Sequence, residues 1–274
     1  SCKMKKIIYA LSIMIAIVFL GACSDDSTSP VQETPKLKKN YFGISEVNRV
    51  TFRQVRTNAD SSEVANTVQE GVMEYVKDTT VWTLNSRLYT KVLHGVTEKI
   101  TSEIYNMSAD SNEFRIHSAS INEVVKLMVP SVGLEVELPF TLPDTMVKIG
   151  DRVNKEWNIY SKPFTNFPVM SSILANGTLT VKGKRGAAGT ATIEGIQINT
   201  QEFIITFVFS GTYQVGPTGM PTDINLPIEL HYVFGENKAI VAYYIPYTTL
   251  PILTQTGMPI AGFSYKAQTI ERTF

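Results

Sequence analysis

The chain has 274 residues, of which 43% are hydrophobic and 18% charged, and its 25 basic residues are balanced by 25 acidic ones. This balance, without any long basic run, excludes the electrostatic footprint of a nucleic-acid-binding protein. Only two cysteines are present, Cys2 and Cys23, and both lie in the first 23 residues, so the stability of the rest of the chain has to come from a packed core rather than from disulfides.

The N-terminal segment has the three regions of a secretory signal peptide. Lys5-Lys6 precede an apolar run from Ile7 to Leu20, and the small residues Gly21-Ala22 follow it. At ~1.5 Å per residue this run spans roughly 21 Å, which is less than the ~30 Å hydrocarbon core of a bilayer. We therefore predict a signal peptide over residues 1–22, whose first three residues precede the start methionine, rather than a permanent transmembrane helix.

Leu20-Gly21-Ala22-Cys23 resembles the lipobox of bacterial lipoproteins. In that family the cysteine sulfur receives a diacylglycerol, the signal is cut before it, and the new amino group is acylated. The resemblance implies that Cys23 is lipidated and that Ala22 is the last residue removed; the alternative is an ordinary signal peptide with an incidental cysteine. Several acyl chains, at ~0.8 kcal/mol per buried CH₂, would anchor the protein in the membrane effectively permanently.

The residues after Cys23 bear on localisation. In the lipoprotein family a serine at this position, here Ser24, favours the outer membrane, and Ser24-Asp25-Asp26 resembles the surface-export signals of Bacteroidetes-like bacteria. The alternative is a solvated acidic tether. We expect an outer-membrane lipoprotein on the periplasmic face or the cell surface. Residues 23–40 are polar with two prolines and no aromatic residue, which predicts a flexible tether.

The rest of the chain has the composition of a β protein. From Tyr41 threonine, valine, isoleucine and aromatic residues become frequent, and residues 41–274 fit one all-β domain. Apolar residues alternate most clearly over Gln201–Val215. We predict about ten to twelve strands in a large antiparallel sheet, forming a half-open barrel or a sandwich, with one or two short helices.

Three local patterns predict where the chain turns. Gly235-Glu236-Asn237-Lys238 has the composition of a hairpin turn, and the glycine-rich run from Gly183 to Gly189 predicts another. Ser120-Ile121-Asn122-Glu123 has the spacing of a capping box, which predicts a short helix that starts at Ser120 and ends before Pro130.

Catalytic and cofactor motifs are not found in the sequence. The three histidines, His94, His117 and His231, do not have metal-ligand spacing, so we expect no metal or cofactor. The nearest string to a serine-hydrolase elbow, Gly262–Lys266, lacks its second glycine. A pair of carboxylates brought together only by the fold could still form a hydrolase site, and the sequence leaves this possibility open.

Apolar strands are the remaining candidates for a functional site. The strand over residues 203–209 and the run over 243–247 are apolar on much of both faces, and a sheet of this kind needs two covers, or one cover and a ligand. The alternative is that these side chains simply fill the core. The loop 246–262 could form a lid or a partner-facing patch. The candidate ligand-binding residues are Phe203, Ile205, Phe207, Phe209, Tyr232, Phe234 and Tyr243.

A tethered antiparallel β protein without disulfides resembles the half-open β-barrel lipoproteins and the periplasmic lipoprotein carriers, whose curved sheet encloses a cavity for acyl chains. This resemblance implies a non-enzymatic protein that binds a hydrophobic ligand such as a lipid. One alternative is a surface-exposed structural or adhesive module that binds a protein or a glycan, and another is a hydrolase. The expected partners are the membrane, through the N-terminal lipid, and a hydrophobic ligand, but no nucleic acid; any protein partner is unidentified.

Overall fold

The computed structural model describes residues 36–44, 47–94, 99–106, 112–128, 140–170, 173–248 and 263–273; of residues 106, 126–128, 169–170 and 263–273 it describes the backbone alone. All of these residues belong to one compact unit, Thr34–Phe274. The predicted signal peptide, lipobox and acidic motif lie outside the described residues, as does the predicted lid beyond Thr248. No helix of the described part is long and apolar enough to span a membrane.

Twelve strands and one helix make up the described part of the chain. In chain order they are β1 (Arg49–Thr57), β2 (Gln69–Val81), β3 (Leu84–His94), β4 (Lys99–Asn106), β5 (Glu113–His117), α1 (Ser118–Met128), β6 (Met146–Asp151), β7 (Glu156–Met170), β8 (Ile173–Ile193), β9 (Ile196–Val215), β10 (Thr222–Gly235), β11 (Ala239–Thr248) and β12 (Phe263–Thr273).

All twelve strands form one antiparallel sheet in the order β6-β5-β4-β3-β2-β1-β12-β11-β10-β9-β8-β7. The predicted mainly β class with a short helix is therefore confirmed. The two edge strands, β6 and β7, follow each other in the sequence. β7 carries Pro163 and Pro168, which suits an edge because proline cannot donate a backbone hydrogen bond to a further strand.

The sheet curls into a half-barrel that brings its two edges together at one end. On the concave side β6 approaches β8 and β9. The indole nitrogen of Trp157 on β7 donates a hydrogen bond to the Lys148 carbonyl of β6 at 3.0 Å. The Arg185 guanidinium on β8 donates to the Arg152 carbonyl, just after β6, at 2.9 Å. These contacts account for the half-open form.

Residues 36–44 cross the end of the half-barrel and contribute to its core. The Phe42 ring lies 5.4–5.6 Å from the rings of Phe114, Phe203 and Phe234. Leu37 and Asn40 form backbone hydrogen bonds with Arg152 and Asn237. Contacts with the sheet therefore begin before the domain boundary that we expected at Tyr41, while the boundaries of the signal peptide and tether stay predictions.

The helix α1 forms close to its predicted position, but it begins at Ser118 rather than Ser120. The His117 ring accepts a hydrogen bond from the Ala119 backbone amide at 3.2 Å, so this side chain satisfies one of the free amides at the helix start. Glu123, the other half of the predicted capping box, pairs with Lys99 at 2.6 Å instead. The capping-box prediction was wrong, and Ser120 lies inside the first turns with its side chain buried.

The predicted turn over Gly183–Gly189 was also wrong, because β8 continues through it to Ile193, with only a shift of register between Arg185 and Ala188. A Cβ atom on Gly183 would lie 2.0 Å from the Trp157 ring, and one on Gly186 would lie 2.5 Å from the Glu202 carboxylate. These glycines are needed for close packing, not for turning the chain. The chain turns at Glu194-Gly195, where both residues have positive φ. The turn predicted at Gly235–Lys238 is present.

Candidate ligand-binding site

A cavity of about 70 Å³ lies on the concave side of the sheet, between β1–β5, α1, β10 and β11. Most of its wall is apolar, and the residues that form this part are Val50, Phe52, Met73, Ile116, Val124, Ile240 and Ala242. The remaining wall residues carry polar groups: Lys91, Glu103, Tyr105, Ser120, Tyr232 and Tyr243. An apolar cavity with a few convergent polar groups is the usual form of a small-molecule site.

The polar wall follows from strand alternation on β3 and β4. On β3, Tyr89, Lys91 and Leu93 are buried while the residues between them are partly exposed. On β4, Glu103 and Tyr105 occupy the inward positions. Because successive strand side chains point to opposite faces, the sequence places a lysine and a glutamate on the buried face of neighbouring strands.

Lys91 and Glu103 form an ion pair inside the cavity wall. The Lys91 Nζ atom lies 3.1 Å from Glu103 Oε1, and only 8% and 6% of the two side chains are exposed. The ammonium also lies 5.3 Å from the centre of the Phe52 ring, and a cation at this distance from an aromatic face is attracted to it. The pair therefore puts two opposite charges, and no net charge, in the wall.

Hydroxyl groups supply the rest of the polar wall. The buried Ser120 hydroxyl has no hydrogen-bond partner among the described residues. The Tyr243 hydroxyl donates to Gln54 Oε1 at 3.1 Å, and the Tyr105 hydroxyl makes a weak contact with the Met73 sulfur at 3.6 Å. Burial raises the pKa of Tyr105 and of Tyr232, so both phenols stay protonated and can donate.

The structure separates the seven predicted ligand-binding residues into two groups. Tyr232 and Tyr243 line the cavity. The other five are buried in the aromatic core: Phe203 and Phe234 pack on Phe42, Phe207 packs against Phe140, Phe209 packs against Phe164, and Ile205 is fully buried. These five side chains contact other core side chains rather than the cavity.

Sequence reasoning missed Lys91, Glu103 and Ser120. Lys91 alternates with the buried Tyr89 and Leu93, and this alternation was the available signal for a charged side chain on the buried face. Ser120 was interpreted as a helix cap. No sequence pattern shows that these three side chains meet, because β3, β4 and α1 come together only through the sheet order.

A second polar cluster lies on the other face of the sheet, around His231. The His231 Nδ1 atom lies 2.8 Å from Glu202 Oε1, and its Nε2 atom lies 3.3 Å from Glu229 Oε2. Tyr244 donates its hydroxyl to Glu202 and stacks on the imidazole, with 4.6 Å between ring centres. Lys184 pairs with Glu229 at 2.8 Å.

This cluster brings two carboxylates together, as a hydrolase site would require, but it shifts the pKa of both in the same direction. Burial alone would raise the pKa of both carboxyl groups. Hydrogen bonds from Tyr244 and His231 outweigh this effect at Glu202, and the hydrogen bond from Lys184 is the main one that outweighs it at Glu229. Both pKa values are therefore lowered. Glycoside hydrolysis needs one carboxyl group with a raised pKa as the acid. The pair lacks that asymmetry. Among the described residues no group of acidic, histidine and cysteine side chains could hold a metal ion.

Comparison with known proteins finds weak structural likeness. No known family matches the sequence, and no curated protein does. The fold is similar to that of a "putative lipoprotein" from Parabacteroides distasonis, with 8% identity over 86% of this chain and 99% of that one and a TM-score of 0.44. It is also similar to a "putative exported protein" with a YmcC-like fold from Bacteroides fragilis, with 9% identity over 88% and 99% of the chains and a TM-score of 0.39.

Proposed function

We propose that the protein is a lipid-anchored, non-enzymatic lipoprotein of the outer membrane that binds a hydrophobic ligand or lipid in its β-cavity. The lipobox at Cys23 motivates the anchor. The single observation that carries the binding function is the cavity between the sheet and α1, which joins an apolar wall to a small set of polar groups.

The position of the cavity supports this proposal. The aromatic core in front of β9, by contrast, is packed through close ring contacts, as between Phe203 and Phe234 at 5.3 Å. Packing of this density leaves no room for a ligand. The space in front of β1–β4 is covered by α1, through Ile121, Val124 and Val125, which are buried against the core. The helix therefore forms one wall of the site.

Native mass spectrometry followed by organic extraction tests the binding function. We would use the mature chain from Ser24 onward, made in the bacterium's own envelope without its acyl anchor, which keeps the whole compact unit. We expect extra mass that extracts as a defined lipid. Ala242→Leu adds three carbons to the cavity wall and should abolish the bound lipid. The matched control Ala191→Leu, on a part of β8 far from the cavity wall, should leave it. A chain that never carries lipid would contradict the proposal.

One observation favours the alternative function, a surface module that binds another protein. β7 pairs with β8 only as far as Lys184, and β10 pairs with β9 only from Thr200. Residues 187–198 therefore extend beyond both neighbours as a two-stranded ribbon. The ribbon contains one charged residue, Glu194, and Ile196 at its tip is 64% exposed. Exposed ribbon edges can pair with a strand of a partner.

External protease on intact cells separates the two functions. A surface module should be cleaved within this ribbon, and Ile196→Lys should reduce partner capture on whole cells because it places a charge at the apolar tip. Protection of the chain on intact cells, with cleavage only after the outer membrane is opened, would rule the surface module out and leave the ligand-binding function.

A further inference from the structure

We propose that the cavity selects single-chain amphiphiles whose head group is small, uncharged and hydroxylated, and that it rejects ionised fatty acids of the same length. This inference rests on the proposed ligand-binding function and names its ligand class. Three observations carry it: the Lys91–Glu103 pair, the Ser120 hydroxyl with no partner in the described part of the chain, and the volume of the cavity.

The ion pair sets the charge preference. The charge of Lys91 is already matched by Glu103 at 3.1 Å, and both side chains are buried. A carboxylate head would bring a second negative charge next to Glu103 and would also lose its own hydration. Like charges placed together cost several kcal/mol at an interface, and burying an unpaired charge costs more. A neutral head meets neither cost.

The hydroxyl groups favour a head that both donates and accepts hydrogen bonds. The Ser120 hydroxyl is buried without a described partner, although it lines the cavity. Buried polar groups in folded proteins are nearly always hydrogen-bonded, so this hydroxyl points to a ligand group that completes it. The protonated phenols of Tyr105 and Tyr232 line the same cavity and offer donors to an alcohol or ester oxygen.

The volume limits the size of the head. A site needs about 10–15 Å³ to admit one water-sized group, so 70 Å³ admits a small head group of a few heavy atoms. This is enough for a glycerol head or for an alcohol with its first carbons, and too little for the phosphorylated head of a diacyl lipid. The apolar wall residues, among them Val50 and Ile240, would contact the first methylenes.

Competition between ligands of equal chain length tests the inference. The mature chain from Ser24 onward would be titrated with dodecanol, monododecanoylglycerol and dodecanoate at pH 8, where the acid is ionised. We expect the two neutral ligands to bind at least about tenfold more tightly than dodecanoate. Ser120→Ala should weaken the neutral ligands by about three- to tenfold through the loss of one hydrogen bond and leave dodecanoate binding unchanged.

Substitution of the ion pair should reverse the preference. Glu103→Gln removes the negative charge 3.1 Å from Lys91 that opposes a carboxylate head, so dodecanoate should become the preferred ligand. The matched control is Glu113→Gln, which removes another lysine-paired glutamate, 2.8 Å from Lys148 and not in the cavity wall, and should leave the preference unchanged. If Glu103→Gln does not fold, the same ligands would be titrated into the neutral double variant Lys91→Gln/Glu103→Gln. This variant should still bind the neutral ligands more tightly than dodecanoate.

The outcomes separate this inference from the function on which it rests. If the wild type binds dodecanoate as tightly as dodecanol, the selection for neutral heads is wrong while lipid binding stands. If it binds none of the three ligands, the proposed ligand-binding function itself fails.

Discussion

Asp151, at the end of β6, has both carboxylate oxygens hydrogen-bonded close to where the two edges of the sheet meet. It accepts hydrogen bonds from the backbone amides of Val153 and Asn154 at 2.8 Å and from the Asn154 side chain and Lys148 at 2.9 Å. Arg185 adds a favourable charge interaction. Burial raises the pKa of Asp151, but these hydrogen bonds outweigh it and hold the pKa below its usual value.

We predict that Asp151 makes the stability of the protein depend on acid. Since its pKa is lower in the folded than in the unfolded chain, the carboxylate adds stability at neutral pH, which is lost as the pH falls through the unfolded value toward the folded one. Urea unfolding at pH 7 and pH 3.5 should show a smaller loss of unfolding free energy for Asp151→Asn than for the wild type. The control Asp223→Asn, at an exposed position, should lose as much unfolding free energy between the two pH values as the wild type does. An equal loss in all three proteins would contradict the prediction.

Lys91 and Glu103 should show the cost of breaking a buried ion pair. We expect Lys91→Met to lower the free energy of unfolding by about 3–5 kcal/mol, because it leaves the Glu103 charge buried without its partner. The double variant Lys91→Met/Glu103→Leu should recover most of that loss, since neither charge remains. Chemical denaturation of the three proteins measures both effects. A double variant as unstable as Lys91→Met alone would show that packing, not charge, decides stability here.

Among the strands, β8 shows where local sequence rules fail. Four of its glycines lie at positions 177, 183, 186 and 189, and the last three were interpreted as a turn. The long neighbouring strand β9 was predicted well, because its apolar residues alternate over many positions and burial of one face follows directly from that pattern. Whether a glycine turns the chain or lies beneath an aromatic ring depends on a side chain of another strand, here Trp157, which the local sequence does not contain.

We predict that substitution destabilises the protein at one of these glycines and has almost no effect at another. Gly183→Ala should lower the free energy of unfolding by about 1–3 kcal/mol, because its Cβ would lie 2.0 Å from the rigid Trp157 ring. Gly189→Ala in the same strand should change it by less than about 0.5 kcal/mol, since the only nearby atom is the Thr200 hydroxyl oxygen at 3.3 Å. Thermal unfolding distinguishes them, and equal effects would mean that the strand, not the contact with Trp157, determines the cost.

Helix α1 is the second informative element. Its existence was predicted from a capping-box spacing, but its true start depends on His117, and its position depends on Asn122. The Asn122 side chain donates to the Leu142 carbonyl at 2.9 Å and accepts from the Leu142 amide at 2.8 Å. This two-way bond attaches the helix to the segment before β6 and so holds one wall of the cavity, a role that no periodicity shows.

For the whole molecule, the fold class could be predicted from the sequence and the path of the sheet could not. Alternating strands and hairpin turns determine local pairing, which accounts for neighbours such as β10–β11 with their predicted turn at Gly235–Lys238. They do not determine that β6 and β7, joined by a short connection, lie at opposite edges of the sheet. That arrangement depends on long-range contacts such as Trp157 with Lys148, and the cavity exists only because the same curvature brings β1–β5 opposite β10 and β11.

At this scale the N-terminal anchor is the part of the proposal that can be tested without any ligand. Cys23→Ala in the full chain removes the sulfur that would carry the diacylglycerol, so we expect the protein to lose labelled fatty acid and to leave the outer-membrane fraction. Ala22→Gly keeps a small residue before the cysteine and should still be labelled and retained. Because several acyl chains provide far more binding energy than any surface contact of this nearly neutral chain, a Cys23→Ala protein that stays in the outer-membrane fraction would mean that the folded domain itself holds that membrane.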